Sequence, residues 1–217
     1  MISNSPNEKP NKIEPRELIP YLCRSFYQKG WCSGTGGGVG MLVDNRVYIA
    51  PSGVQKELVQ PADIYELEYP SLQVLYEPDG CKPSQCLPLF NAAFKNGATV
   101  CIHSHSINVN LASQIFGSEF IITRQEMIKG IIDWETKKSL NFNENLVIPI
   151  IENTPFECEL ESFLLKAMVD YPKACATIVK CHGIYVWAES WEKAKGMAEC
   201  IDYLCDLAVQ MHQMNLK

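Results

Sequence analysis

Apolar residues recur at helical spacing at both ends of the chain. Near the start, Leu18, Leu22 and Phe26 share one stripe over residues 15–29, and a glycine follows as a stop signal. Pro20 is expected to break or kink the first turn of this helix, because proline lacks the backbone N–H that a helix interior uses. A second, longer apolar stripe runs through the last quarter of the chain and predicts a long amphipathic helix there.

Another helix start is indicated at Thr154. The T-x-x-E spacing of Thr154 and Glu157 is that of a capping box, and Pro155 occupies the first helical position. These signals predict a helix that runs to Asp170. Shorter helices are predicted over residues 87–94 and 108–116.

Short apolar runs bounded by turn residues predict strands between the helices. The runs 39–43 and 47–50 are separated by Asp44, Asn45 and Arg46, which is the pattern of a hairpin. Helices before, between and after strands predict an α/β fold, a three-layer α/β/α sandwich with a mixed, mainly antiparallel sheet. Further strands are predicted over residues 64–67, 98–102, 174–179 and 179–187.

Composition narrows the class of protein. With 217 residues and 47% hydrophobic residues, the chain suits one domain, predicted over residues 14–217 after a disordered polar tail at residues 1–13. A net charge of -6 provides no basic surface for nucleic acid, and no apolar run has the length of a membrane span. The ten cysteines form no C-x-x-C pair and no secretory leader is apparent, so we expect reduced cysteines and a cytoplasmic protein.

Histidines are the strongest chemical signal. His103 and His105 end an apolar strand-like run, and residues two apart on a strand face the same side, so both rings could bind one metal ion. His182 follows another such run and is the preferred third ligand. Three neutral nitrogens with an open fourth position are typical of catalytic zinc. Cys101 shares the strand face of the pair and is the rival third ligand, whereas His212 is expected to face solvent.

Several weaker signals suggest an anion site. The glycine-rich stretch 34–38 could bring backbone N–H groups close to a phosphate, although neither the dinucleotide nor the P-loop spacing is met. Ser52, Gly53 and Ser84 supply further donors of the same kind, and each could equally end a strand. Glu126 cannot be distinguished by spacing from an ordinary solvated carboxylate.

Longer motifs nevertheless identify a family. The chain resembles the class II aldolase and adducin-like zinc fold, and within it the methylthioribulose-1-phosphate dehydratases, especially their animal apoptotic-factor-interacting branch. The resemblance extends from residue 15 to the C-terminal helix. Its motifs are G-T-G-G-G at 34–38, Y-I-A-P-S-G-V-Q-K-E at 48–57, S-Q-C at 84–86, H-S-H-S at 103–106, Q-E-M-I-K-G at 125–130, I-I-E-N-T-P at 150–155 and H-G-I-Y-V-W at 182–187.

The resemblance implies a role for each site residue. One zinc ion per subunit would be held by His103, His105 and His182, with Glu126 as the acid/base residue and Cys86 in contact with substrate. It implies dehydration of 5-methylthioribulose 1-phosphate in methionine salvage through a metal-stabilised enediolate. It also implies a homotetramer with active sites between subunits and, for the animal branch, a cell-death signalling partner. The phosphate pocket would comprise Thr35, Gly36, Ser52, Gly53 and Ser84.

One departure from the wider fold bears on the reaction. Sugar-phosphate aldolases of this type carry a catalytic glutamate in the loop where this chain has Cys86, which favours dehydration with Glu126 over carbon–carbon bond cleavage. An aldolase and a non-enzymatic interaction protein are the alternative functions. A cysteine nucleophile at Cys86 has no supporting local signature.

Overall fold

A nine-stranded sheet forms the centre of the molecule. The computed structural model describes residues 13–216, so nearly all of the tail predicted over residues 1–13 lies outside the described residues. The strand order is β4-β3-β2-β1-β5-β9-β8-β7-β6, and every neighbouring pair is antiparallel except β7 with β8. The strands are β1 (Gly38–Val43), β2 (Arg46–Ile49), β3 (Tyr65–Glu68), β4 (Val74–Tyr76), β5 (Val100–Ser104), β6 (Glu119–Thr123), β7 (Asn145–Ile151), β8 (Ala176–Val179) and β9 (Gly183–Ala188).

Five α-helices accompany this sheet in the described part of the chain. One group packs α2 against α4, β1 and β5, and another packs α3 and α5 against each other and against β9. The mixed α/β class with a mainly antiparallel sheet is therefore confirmed. No helix in residues 13–216 is both long and apolar enough to span a membrane. The helices are α1 (Pro15–Gln28), α2 (Leu87–Lys95), α3 (Ile107–Ile115), α4 (Leu160–Asp170) and α5 (Trp191–Gln213).

Local sequence signals explain the elements at both ends. The hairpin β1–β2 turns through Asp44 and Asn45, both at positive φ (49° and 60°), which is the turn geometry that matches strand twist. Ser190 caps α5, because its hydroxyl accepts a hydrogen bond from the backbone N–H of Lys193 at 3.3 Å. The expected break at Pro20 is wrong: α1 continues through it, with Pro20 buried against the core.

The predicted capping box at Thr154 is also wrong. The Thr154 hydroxyl donates to the carbonyl of Phe156 at 2.8 Å, and α4 begins only at Leu160, after a 3-10 helix at Glu157–Glu159. The side chain of Glu157 turns away from the helix end and contacts Cys86 and Tyr185. Tertiary hydrogen bonds have therefore replaced the local cap.

The strand predicted over residues 179–187 is interrupted. Residues 180–182 form the turn between β8 and β9, and β9, rather than β8, lies next to β5. His103 pairs with Tyr185 and Ser104 with Ile184 in this register. The turn that carries His182 is therefore placed beside the end of β5, where His105 follows.

Candidate metal centre and active-site cavity

Three imidazoles converge at the end of β5. Nε2 of His105 lies 2.9 Å from Nε2 of His103 and 3.1 Å from Nε2 of His182. The three rings are mutually edge-to-face, with centroids 4.7 to 5.1 Å apart. The structure thus brings together the histidines that the sequence selected. Cys101 is fully buried within β5 and His212 is exposed near the end of α5.

Backbone packing fixes the loop and the turn that carry His105 and His182. The backbone N–H of His105 donates to the carbonyl of Trp31 at 2.8 Å, and the N–H of Cys181 donates to the Ser113 hydroxyl at 3.0 Å. A Cβ atom on Gly183 would lie 2.0 Å from the carbonyl oxygen of Ser104, so only glycine allows this turn to approach β5 so closely. Loop and turn are therefore anchored before any ion binds.

The rings are held in the neutral form. Burial, with the neighbouring rings of His105 and His182, keeps the pKa of His103 well below its usual value. Burial and then His182 lower the pKa of His105 to about 4, and burial also lowers the pKa of His182. Neutral imidazoles are the form that binds metal ions.

Hydrogen bonds assign the tautomers of two rings. Nδ1 of His103 lies 3.1 Å from the carbonyl oxygen of Ile184, and Nδ1 of His182 lies 3.2 Å from Oδ1 of Asn153. A proton on each Nδ1 leaves the Nε2 lone pairs of His103 and His182 directed toward His105. One proton on His105 could satisfy only one of them.

A divalent cation fits this arrangement. Two nitrogens bound to one tetrahedral zinc at 2.0–2.1 Å are separated by about 3.3 Å, close to the observed 2.9 and 3.1 Å. The Nδ1 contacts to Ile184 and Asn153 are the outer hydrogen bonds that orient histidine ligands in metal sites. The residues present therefore fit a divalent metal ion.

The histidines open onto a cavity of about 880 Å³. Its lining includes every site residue predicted from the sequence except Glu126. Hydroxyls and backbone N–H groups gather on the wall formed by the glycine-rich loop and two further loops. The predicted residues on the lining are Thr35, Gly36, Ser52, Gly53, Ser84, Cys86, His103, His105 and His182.

Glu126 lies elsewhere on the same chain. It begins a 3-10 helix at Glu126–Gly130 that packs against α5, and its side chain is 71% exposed and pairs with Lys129 at 2.5 Å. It is not among the residues that line the cavity. A single chain therefore does not bring the predicted acid/base residue to the histidines.

Two charged residues of the cavity were missed as site residues by the sequence analysis. Lys56 is 3% exposed, and its ammonium donates to the carbonyl of Thr35 at 2.7 Å and to that of Val54 at 3.4 Å. Glu157 was interpreted only as part of a capping box, yet it reaches the cavity beside His103. Lys56 lies in the Y-I-A-P-S-G-V-Q-K-E motif at residues 48–57, which could have drawn attention to it. No local signal distinguishes Glu157 from a helix-capping residue.

The thiol of Cys86 is a hydrogen-bond donor in this site. It donates to Oε1 of Glu157 at 3.1 Å. Burial, and then the Glu157 carboxylate, raise the pKa of Cys86 far above its usual value. The neutral thiol is a poor nucleophile, so this geometry opposes nucleophilic catalysis by Cys86.

Comparison with known proteins identifies the family and agrees with the fold. Residues 17–209 match the family described as Class II Aldolase and Adducin N-terminal domain. The chain belongs to this family. A protein of Leishmania infantum named probable methylthioribulose-1-phosphate dehydratase is 50% identical over 94% of this chain and 92% of its own length. A Gallus gallus protein named methylthioribulose-1-phosphate dehydratase is 48% identical over 99% of this chain and 90% of its own. The resemblance inferred from the motifs is confirmed.

Solved structures show the same fold at low identity. An L-fuculose 1-phosphate aldolase superposes with a TM-score of 0.74 at 15% identity, covering 94% of this chain and 89% of the other. A sugar-phosphate aldolase from Thermotoga maritima gives 0.68 at 12% identity, covering 94% and 97%. The architecture of the class II aldolase family is therefore confirmed independently of the sequence motifs.

Proposed function

We propose that this family member is a zinc-dependent hydro-lyase that converts 5-methylthioribulose 1-phosphate to 2,3-diketo-5-methylthiopentyl 1-phosphate in methionine salvage. The observation that carries the proposal is the convergence of three neutral imidazoles in one cavity. The chain is also about half identical, over nearly all of its length, to relatives named for this activity. A cytoplasmic location and a cell-death partner stay predictions.

The phosphate of the substrate would bind at the loops that line the cavity beside the histidines. Lys56 uses two of its three N–H bonds on backbone carbonyls, which leaves one for a ligand. Gly36 and Gly53 lie on the cavity lining and allow a phosphate to approach the backbone N–H groups. The serines Ser52 and Ser84 add hydroxyl donors. One fixed positive charge within a ring of neutral donors suits a phosphate monoester.

The keto-diol end would lie at the histidines. Dehydration removes the proton from C3 and the hydroxyl from C4, and the resulting enol tautomerises to the 2,3-diketone. A divalent ion at this site would supply Lewis-acid stabilisation of negative charge on the substrate oxygens. Cys86 would contact the substrate as a neutral thiol, because its proton is directed at Glu157.

Glu126 would be supplied by a neighbouring subunit. Its carboxylate would take the C3 proton and return a proton to the departing C4 hydroxyl, which becomes water. Within one chain it is exposed and outside the cavity lining. Exposed apolar side chains next to lining segments, Ile107 (70%) and Phe156 (67%), favour covering of the cavity mouth by another copy. We therefore include a homotetramer with interfacial active sites in the proposal.

Turnover of 5-methylthioribulose 1-phosphate by the purified protein tests the function directly. We expect diketone formation that a chelator abolishes and that added Zn²⁺ restores. Release of an aldehyde fragment would instead identify an aldolase. Absence of turnover by the zinc-loaded protein would refute the proposal.

Complementation between variants tests the shared active site. Glu126→Gln should lower kcat by about 10² to 10⁴-fold, the usual contribution of a general acid/base, while zinc content stays unchanged. His103→Ala should lose both metal and activity. Mixed oligomers of the two variants should regain part of the activity, because some sites would combine an intact Glu126 with an intact histidine set. No recovery in demonstrably mixed oligomers would contradict a Glu126 supplied across the interface.

A further inference from the structure

Glu157 places a carboxylate at the histidine end of the cavity. Its Oε1 lies 3.4 Å from Nε2 of His103, and its side chain is 15% exposed. Among the described residues that line the cavity, it is the single acidic one. Cys86, His103 and Glu157 also present ligand atoms within 4.8 Å of one another. A carboxylate this close to a metal-binding nitrogen lies within the surroundings of any ion held there.

Two donors hold this carboxylate from other elements. The Cys86 thiol at the start of α2 donates to Oε1 at 3.1 Å, and the hydroxyl of Tyr185 in β9 donates to the same oxygen. The Tyr185 ring stacks on His103 with centroids 4.1 Å apart and an interplanar angle of 5°. Glu157 and His103 are thus fixed against the same tyrosine.

Glu157 makes these contacts in place of a local helix cap. Thr154 and Glu157 have capping-box spacing, yet neither side chain caps the helix, and α4 begins without a side-chain cap. Departures from local rules are expected at functional sites, where tertiary requirements override the helix signal.

We propose that Glu157 belongs to the metal centre, where its carboxylate supplies the negative charge that three neutral histidines lack. A divalent ion bound by neutral imidazoles alone would keep its full charge in a largely buried site, which is electrostatically unfavourable. The Glu157 carboxylate lies beside the His103 nitrogen, and Cys86 and Tyr185 keep it there. This inference rests on the metal dependence in the proposed function and adds a residue that the histidine motifs do not include.

Zinc affinity without substrate tests this role. Zn²⁺ binding to Glu157→Gln, Glu157→Asp and wild type is measured by competition with a chromophoric chelator. Glu159→Gln is the matched control, because it removes the same charge from an exposed position in the same 3-10 helix. Glu157→Gln should bind zinc roughly 10 to 100-fold more weakly, the range for carboxylates that support metal ligands. Glu157→Asp should lose less, and Glu159→Gln should match wild type.

Thermal unfolding of the metal-free proteins shows whether each variant still folds, so that a loss of zinc affinity is separated from a loss of structure. Equal zinc affinity in wild type and Glu157→Gln would overturn the inference, as would equal losses in the Gln and Asp variants. If Glu157→Gln does not fold, Tyr185→Phe removes one of the two donors to the carboxylate and should weaken zinc binding, and unchanged affinity would overturn the inference. A wild-type protein that binds no zinc would instead refute the proposed metal dependence.

Discussion

Gly36→Ala should disable the metal centre through one methyl group. A Cβ atom at Gly36 would lie 2.4 Å from both Cε1 and Nδ1 of His105, and 3.2 Å from its Cγ. Ordinary contacts begin near 3.4 Å, so the ring must move by about 1 Å. Metal–ligand distances tolerate only about 0.2 Å. Because the methyl group meets the ring at several atoms, the whole ring must shift, and the position of Nε2 relative to His103 and His182 changes with it.

The expected effect is a loss of zinc affinity of at least about 100-fold. Losing the position of a ligand should exceed the roughly 10 to 100-fold cost of removing an outer hydrogen-bond partner. Stability of the metal-free protein should change little, since alanine is compatible with the ordinary φ of Gly36 and His105 is free to move toward the cavity. Chelator competition measures the affinity, and thermal unfolding of the metal-free variant measures the stability.

Gly117→Ala is the control for this prediction. Its Cβ would meet nothing within 4 Å and its φ is ordinary, so zinc affinity should match wild type. If Gly36→Ala bound zinc as tightly as wild type, the glycine-rich loop would have yielded instead of the ring. The close contact would then have no role in metal binding, and the argument from packing would be refuted.

Three further changes should have measurable effects. Lys56→Met should raise the KM for 5-methylthioribulose 1-phosphate by roughly 10 to 100-fold, because hydrogen bonds to charged groups contribute about 1.5–3 kcal/mol. If steady-state kinetics gave an unchanged KM, Lys56 would be excluded from phosphate binding. Acidification should destabilise the metal-free protein between about pH 6.5 and 4, because the pKa of His105 is lowered to about 4 and the unfolded chain binds more protons than the folded chain in that range. Denaturant titrations should therefore show the free energy of unfolding rising with pH there, and a flat profile would contradict the assignment of His105 as a neutral ring. Gly183→Ala should destabilise the fold strongly, because its Cβ would lie 2.0 Å from a backbone oxygen; an unchanged melting temperature would show that the turn relaxes freely.

Elements with strong local signals were predicted well. The β1–β2 hairpin and α5 have turn residues, caps and apolar spacing that all favour one structure. The strands β6 and β7, at the end of the sheet where β6 is the edge strand, were not predicted. Burial alternates along β6, whereas β7 has three successive buried residues. The signals of such short strands depend on their partners in the sheet.

The candidate site was only partly accessible to sequence analysis. The H-x-H pair required no more than strand geometry, and the apolar run before His182 made that residue the preferred third ligand. The resemblance then assigned roles to Cys86, Glu126 and the loop residues. The pairing of β9 between β5 and β8 could not be inferred from the apolar runs, although it is what places His182. Glu157 was missed because its spacing from Thr154 indicates a helix cap. Its contact with Cys86 depends on the tertiary fold and has no local sequence signal.

Close packing and electrostatics at this site act in the same direction. Gly183 lets the turn of His182 approach the Ser104 backbone, and Gly36 leaves space for the ring of His105. The burial that results lowers the pKa values of the imidazoles and keeps them neutral. Neutral rings can bind a cation but cannot balance its charge, so the Glu157 carboxylate beside His103 would supply the negative charge that the rings lack. The glycines and Glu157 therefore act together. The glycines allow the close packing that brings the histidine ligands together, and the Glu157 carboxylate balances part of the charge of the ion that the histidines hold.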